Sequence, residues 1–379
     1  MAGKSRAERE ALERQNAAIM AVFERAGFDH IAPDIIQPAD IFLERSGEDI
    51  RARTFVFTDP AGAEMCLRPD LTVPACRFHL SHAANPAAEA RYCYLGPAFR
   101  FPDELLSPQE FTQAGLEWFG ARSPIAAEAR VLKLTISALE AAGLTRYRVT
   151  FGDLGLFAGL LADTEMPDRW RRRLQHHFWR PHAFRDLLDS FCGMRSARRS
   201  SISALVDKVA AGDALAVVSA EIASRNLPAV GGREVDEIAA RLADKASDRR
   251  ESPLANDKAE QINRYLAIAG DASDIDSQLK LIRGGERFAG AREYYVRRLF
   301  EMEELGLNPR RFHFAAGFGR ELEYYTGFTF QVEADTPDGV VAVAGGGRYD
   351  NLLSDMGSPV RVPAVGCAIH TDRLKAVLA

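Results

Sequence analysis

Strand-forming segments occupy both ends of this chain, and a helical stretch from about residue 165 to 300 separates them. In the first part Thr54–Thr58 and Ala63–Leu67 flank the turn Asp59-Pro60-Ala61-Gly62, and Arg91–Phe99, Phe111–Phe119 and Tyr147–Phe151 follow. From about residue 312 the strand pattern returns. Phe328, Phe330 and Val332 alternate with Thr329 and Gln331, while Gly339–Ala344 and Val362–Ile369 are short apolar runs. Strands need partners to bury their apolar faces, so the two ends read as one mixed α+β core interrupted by an inserted domain. The expected division is 1–165 and 312–379 for the core and 166–311 for the mostly helical insertion. No regular β-α-β repeat and no GxGxxG occurs, which argues against a dinucleotide-binding fold.

Helices are expected at several places around these strands. Leu12, Ala17, Ile19, Met20, Val22 and Phe23 form a broad apolar face within the first 27 residues, and Gly27 supplies a stop. A helix from about Pro124 to Ala142 ends at Gly143, one lies near Arg348–Met356, and Thr371–Leu378 closes the chain. Between residues 165 and 200 nine Arg stand against four acids, a run that reads as the solvated side of surface helices, with a surface for nucleic acid or an acidic partner as the alternative. His176, His177 and His182 lack a cysteine or a spaced acid, so no metal site is expected.

Several classes of protein are disfavoured at this stage. A formal net charge of -5 excludes a generally basic nucleic-acid coat. Five scattered cysteines suit reduced thiols better than a disulfide framework. The charged N-terminus has no apolar h-region and no run approaches 18 apolar residues, so a cytoplasmic protein without membrane spans is expected.

Chemistry-bearing residues cluster in the strand segments. Period two along Phe111–Phe119 puts Gln113, Gly115, Glu117 and Phe119 on one side, with Thr112, Ala114, Leu116 and Trp118 on the other. Gln113 and Glu117 then stand about 13 Å apart with a glycine gap between them, as the floor of a small polar pocket would require. An ordinary exposed polar face is the alternative for this strand alone. Asp70 and Thr72 follow a strand, Arg100 closes another, and Arg320 to Tyr325 opens a third with a guanidinium and two phenols. A zwitterionic amino acid needs a carboxylate for its ammonium and a guanidinium for its carboxylate. Gly345-Gly346-Gly347 permits close backbone approach to a ligand, or makes a tight turn between strand and helix.

In order, these segments resemble histidyl-tRNA synthetase, a class II synthetase. Tyr94-Leu95-Gly96-Pro97-Ala98-Phe99-Arg100 followed by Gln113-Ala114-Gly115-Leu116-Glu117 looks like its motif 2, and Leu67 to Thr72 like its amino-acid-binding loop. Arg320 to Thr326 and Gly346 to Asp350 resemble the two histidine-specific signatures; Val362 to Leu374 resembles motif 3, and Gly27 to Ile35 takes the place of motif 1. The resemblance implies a class II synthetase-like core, a mixed, mostly antiparallel sheet flanked by helices.

By that resemblance Asp70 holds an α-ammonium, with Thr72 and Gln113 beside it, and Arg320 faces the carboxylate. Glu117, Tyr325 and Tyr349 read the imidazole, and Arg100 completes the histidine-binding set. The departures fall on the nucleotide side. Pro102 stands where active enzymes have Glu, and Asp103 to Glu110 holds three acids and no basic residue, which repels a triphosphate. His370 replaces a motif 3 glycine, although Arg373 remains, and Asp70 stands where the synthetase has Glu. The chain stops at Ala379, so no anticodon-binding domain is expected after motif 3.

This combination resembles the regulatory-subunit family of ATP phosphoribosyltransferase. It implies no catalytic residues of its own and no cofactor or metal. It also implies the short-form catalytic subunit as partner, L-histidine as ligand, and a homodimer through the motif 1 region within a larger hetero-oligomer, with no tRNA and no membrane. An active histidyl-tRNA synthetase and a stand-alone histidine sensor are the alternatives.

Overall fold

The computed structural model describes residues 3–45, 47–102, 109–194, 201–224, 235–319, 324–337 and 339–378. They form two compact units, one from Met1–Thr164 with Ile262–Ala379 and one from Glu165–Gln261. The second boundary therefore falls about fifty residues earlier than the strand pattern predicts. Helix Glu286–Glu304 and the short strand Ala269–Asp271 belong with the sheet. Three residues of strand are too few to show alternation, so the sequence there reads as helical.

The strands, in chain order, are β1 (Asp29–His30), β2 (Ile36–Pro38), β3 (Phe55–Thr58), β4 (Glu64–Leu67), β5 (Ala90–Phe99) and β6 (Glu110–Phe119). They continue as β7 (Arg148–Asp153), β8 (Ala269–Asp271), β9 (Phe312–Ala315), β10 (Phe328–Thr336), β11 (Gly339–Arg348) and β12 (Ala364–His370). Among the described residues nine of them make one sheet, in the order β1-β5-β6-β12-β11-β10-β7-β9-β8. Pairing is antiparallel except at β1–β5 and β7–β9. A small antiparallel sheet, β2-β4-β3, stands apart. The result is the mixed, mostly antiparallel sheet expected of a class II synthetase-like core.

Helix Arg6–Arg25 begins with a capping box in which Ser5 and Glu8 satisfy each other's backbone N–H. Its Leu12, Ile19, Met20 and Phe23 are buried as the pattern predicts. Ala17 is exposed instead, and Gln15 is buried because its Nε2 donates to Thr371 O at 2.8 Å. Gly345, Gly346 and Gly347 form no turn. They lie inside β11, paired with Gln331, Phe330 and Thr329 on one side and Ala368, Cys367 and Gly366 on the other. The helix expected near Arg348–Met356 shortens to Leu352–Asp355.

One face of the sheet is covered by an aromatic core. Phe151 packs against Phe314 at 5.8 Å and Phe328 at 5.5 Å, and Tyr295 meets Phe314 at 5.3 Å. Beside these rings Arg298, 1 % exposed, joins Glu128 of helix Pro124–Ala141 at 2.5 Å to Asp153 at 2.7 Å. Arg348 extends the network from Glu128 (3.2 Å) to Asp350 (2.7 Å). Burial of this kind is tolerated only because each charge is paired.

The Glu165–Gln261 unit has its own small core of Val206, Val209, Val218, Ala239, Leu242 and Ala246. Trp170 stacks on Phe191 at 4.3 Å, and Arg169 pairs with Asp248 and Glu251. Arg171 and Arg173 are likewise ion-paired, to Asp168 and Asp248. None of the described helices is long and apolar enough to cross a membrane.

Candidate functional site

The sheet face opposite the aromatic core carries Gln113, Gly115 and Glu117 together, as the period of β6 predicts. The strand is interior and not an exposed polar edge: Gln113 and Glu117 are 2 % and 0 % exposed. Glu117 lies in register with Gly366 of β12, which is followed across the sheet by Gly347, Thr329 and Gly152. A Cβ on Gly366 would sit 1.6 Å from Glu117 Oε2, and one on Gly115 would sit 2.5 Å from the Tyr94 hydroxyl. Glycine is needed at both positions because neighbouring polar side chains lie flat over the backbone.

Glu117 accepts two tyrosine hydrogen bonds, from Tyr94 at 2.9 Å and from Tyr349. Both phenols are buried, and burial pushes their ionisation well above the usual range. Burial also raises the Glu117 carboxyl to about 8, against the pull of hydrogen bonds from Tyr349, Thr72 and Tyr94. Tyr325 lies beside Gly347 and packs on Tyr324 (4.9 Å) and Tyr349 (6.4 Å). Tyr94 is a site residue the strand pattern does not single out. Its signal is the register: a large phenol on β5 directly opposite Gly115.

The second half of the site is built by the turn after β4. Asp70 is buried; its Oδ1 accepts from Val73 N at 3.1 Å, while its Oδ2 has no partner among the described residues. Burial raises the Asp70 carboxyl, and the half-buried Arg100 guanidinium and the Val73 and Thr72 backbone N–H groups oppose this. Arg100 Nε donates to Pro69 O at 2.8 Å and its guanidinium lies 5.4 Å from the Phe111 ring centroid. Gln113 Oε1 accepts from Leu71 N at 3.1 Å, and Thr72 Oγ1 lies 3.5 Å from the Tyr94 hydroxyl. Asp70, Thr72, Arg100, Gln113, Glu117 and Tyr349 are thus linked by contacts or by electrostatic coupling, and Tyr325 borders them. Arg320 lies outside the described residues, as do Asp103 and Glu104.

An unpaired buried carboxylate oxygen is a receptor for a cation, and a carboxyl between two phenols can accept from or donate to a polar ring. On the motif 3 side His370, paired with Gln113 in register, stacks on Phe111 at 5.0 Å. An imidazole therefore occupies the sheet surface beside Gln113.

The Glu117 carboxyl gives a pH prediction. It holds a proton in the folded chain between its ordinary value of 4.5 and about 8, where the unfolded chain has released it. The stabilisation is full below the ordinary value and is lost as pH rises toward the folded one. Glu117→Gln does not titrate. Its melting temperature relative to the unmodified protein should therefore climb between about pH 5 and about pH 8. Thermal melts of both proteins across that range test this, and a constant gap would refute it.

This sheet and site define a histidyl-tRNA synthetase-like chain. The family model described as histidyl-tRNA synthetase matches residues 4–247 and 230–374. The ATP phosphoribosyltransferase regulatory subunit of Brucella anthropi is 32 % identical over 348 residues, covering 90 % of this chain and 91 % of that one. The same-named protein of Brucella canis is 33 % identical over 352 residues, with the same coverage. The chain belongs to the family of ATP phosphoribosyltransferase regulatory subunits. Solved structures of similar fold include the ATP phosphoribosyltransferase regulatory subunit/histidyl-tRNA synthetase from Bacillus halodurans C. It has a TM-score of 0.70 and 20 % identity, over 100 % of this chain and 82 % of that one. A histidine–tRNA ligase subunit from Alicyclobacillus acidocaldarius has a TM-score of 0.61 and 22 % identity, over 100 % and 95 %.

Proposed function

We propose that this chain is a non-catalytic regulatory subunit that works in the cytoplasm with the short-form catalytic subunit of ATP phosphoribosyltransferase. That enzyme transfers the phosphoribosyl group of phosphoribosyl pyrophosphate to ATP, giving phosphoribosyl-ATP and releasing pyrophosphate, a glycosyl transfer at the first step of histidine biosynthesis. In this reading L-histidine is the ligand of the Asp70–Glu117 site and carries feedback control. The observation that supports it best is the pairing of a cation receptor, Asp70 Oδ2, with a carboxyl held between Tyr94 and Tyr349. The ammonium would meet Asp70 with Thr72 and Gln113 alongside. The imidazole would meet Glu117, Tyr349 and Tyr325, and Arg320 would take the carboxylate. Arg100 balances Asp70 and braces the turn.

His370 on Phe111 and Pro102 after Arg100 support the absence of nucleotide chemistry in this reading. Homodimerisation through the motif 1 region also belongs to it, and the exposed Ile35, Ile36, Val56 and Phe57 supply apolar surface there. Mixing the purified chain with a short-form catalytic subunit, with and without histidine, tests the proposal. Activation of phosphoribosyl-ATP synthesis, reduced by histidine, is the expected result. A transferase neither bound nor activated would remove the partner assignment. Clear histidine-dependent pyrophosphate–ATP exchange with tRNA charging would replace it by the synthetase reading.

A further inference from the structure

Behind the sheet, on the aromatic-core side, a cavity of about 300 Å³ opens beside the Arg298 network. Asp153, Gly290, Tyr294, Arg298, Arg348 and Arg361 are among the residues that line it. Three carboxylates and three guanidiniums meet here, so the site is formally neutral, and the hydrogen bonds decide which charge it can still take.

Every carboxylate oxygen is already in use. Glu128 Oε1 accepts from Arg348 and Tyr294, and Oε2 accepts from Arg298. Asp153 Oδ1 accepts from Gly155 N and Oδ2 from Arg298. Asp350 Oδ1 accepts from Ala364 N, and Oδ2 from Arg348 and Arg361. The spare capacity lies with the donors. Arg298 Nη1 is buried without a hydrogen-bond partner among the described residues. Arg361 reaches Asp350 at 3.4 Å with 62 % of its side chain exposed, which leaves it able to swing over a ligand. A guanidinium keeps its charge throughout, so an occupant has to bring acceptors and gains most by bringing negative charge.

We propose that this cavity is a binding site for a small oxyanion, a phosphate or carboxylate group held by Arg298 Nη1 and closed over by Arg361. The site is separate from the Asp70–Glu117 face and does not draw on the histidine reading. Gly290 stands exposed at the rim, and a Cβ added there meets nothing within 4 Å, so a large side chain can fill the opening without disturbing the ion pairs.

Calorimetric titration of the full chain at low ionic strength, with inorganic phosphate and separately with acetate, tests the proposal. Saturable binding of phosphate, acetate or both is expected, and which of them binds names the group recognised. Arg361→Gln should weaken that binding by about tenfold, the value of one charge-assisted contact, and Gly290→Phe should weaken it at least as much by filling the opening. Their thermal transitions should be retained, because neither alters Arg298, Glu128 or Asp153. No saturable binding of either anion, or binding unchanged in both variants, would overturn the assignment.

Discussion

Arg298→Met is expected to lower the unfolding free energy by about 3–5 kcal/mol, the cost of removing one partner from a buried ion cluster. Methionine fills much of the same volume, so the loss is chiefly electrostatic. Glu128 and Asp153, 0 % and 4 % exposed, would be left facing each other without the cation between them. Glu128, whose carboxyl burial already raises, can answer by taking up a proton, so the deficit should shrink as the solution is acidified. Urea unfolding of the variant near neutral pH and again in mild acid measures both effects. Adding Asp153→Asn to Arg298→Met should recover part of the loss, since one anion then leaves with the cation while Glu128 keeps Arg348. A single variant that costs less than about 1 kcal/mol would show that Arg298 is not what holds the two elements together.

The second large effect concerns the amino-acid site. If histidine binds as proposed, Glu117→Ala should weaken its binding by about a hundredfold. One contribution is the lost hydrogen bond to the ring. The other is orientation, because Tyr94 and Tyr349 lose the shared acceptor that fixes their hydroxyls for the ring. Glu117→Gln keeps an acceptor and should fall between the two. Arg320→Ala, which removes the proposed carboxylate partner, is the independent arm. Calorimetry with L-histidine reads all three, and affinity unchanged in both alanine variants would place the ligand elsewhere.

The parts of this molecule legible in its sequence are those with a short period or an ordered set of motifs. Alternation along β6 places Gln113 and Glu117 on one face, and the structure keeps them there. Motif order places Asp70, Thr72, Arg100 and Tyr349 around them. What the sequence hides is long-range. Arg298 and Glu128 are 170 positions apart, and nothing local to either announces a partner. Gly345 to Gly347 has low strand propensity and takes its place in β11 from the strands on both sides. The helix Thr72–His82 mixes apolar residues with Arg77, His79, Ser81 and His82 and shows little contrast between its faces, so its periodicity is faint. Tyr94 becomes visible only when β5 and β6 are set in register.

Arg348 and Tyr349 are neighbours in the chain, yet one binds Glu128 behind the sheet and the other binds Glu117 in front. A single peptide unit thus serves as an axle through the sheet wall. A displacement of this backbone step carries both side chains with it, so the two compartments share one support. If histidine occupies the front face as proposed, substitutions among the ion pairs at the back are expected to alter its affinity without touching it.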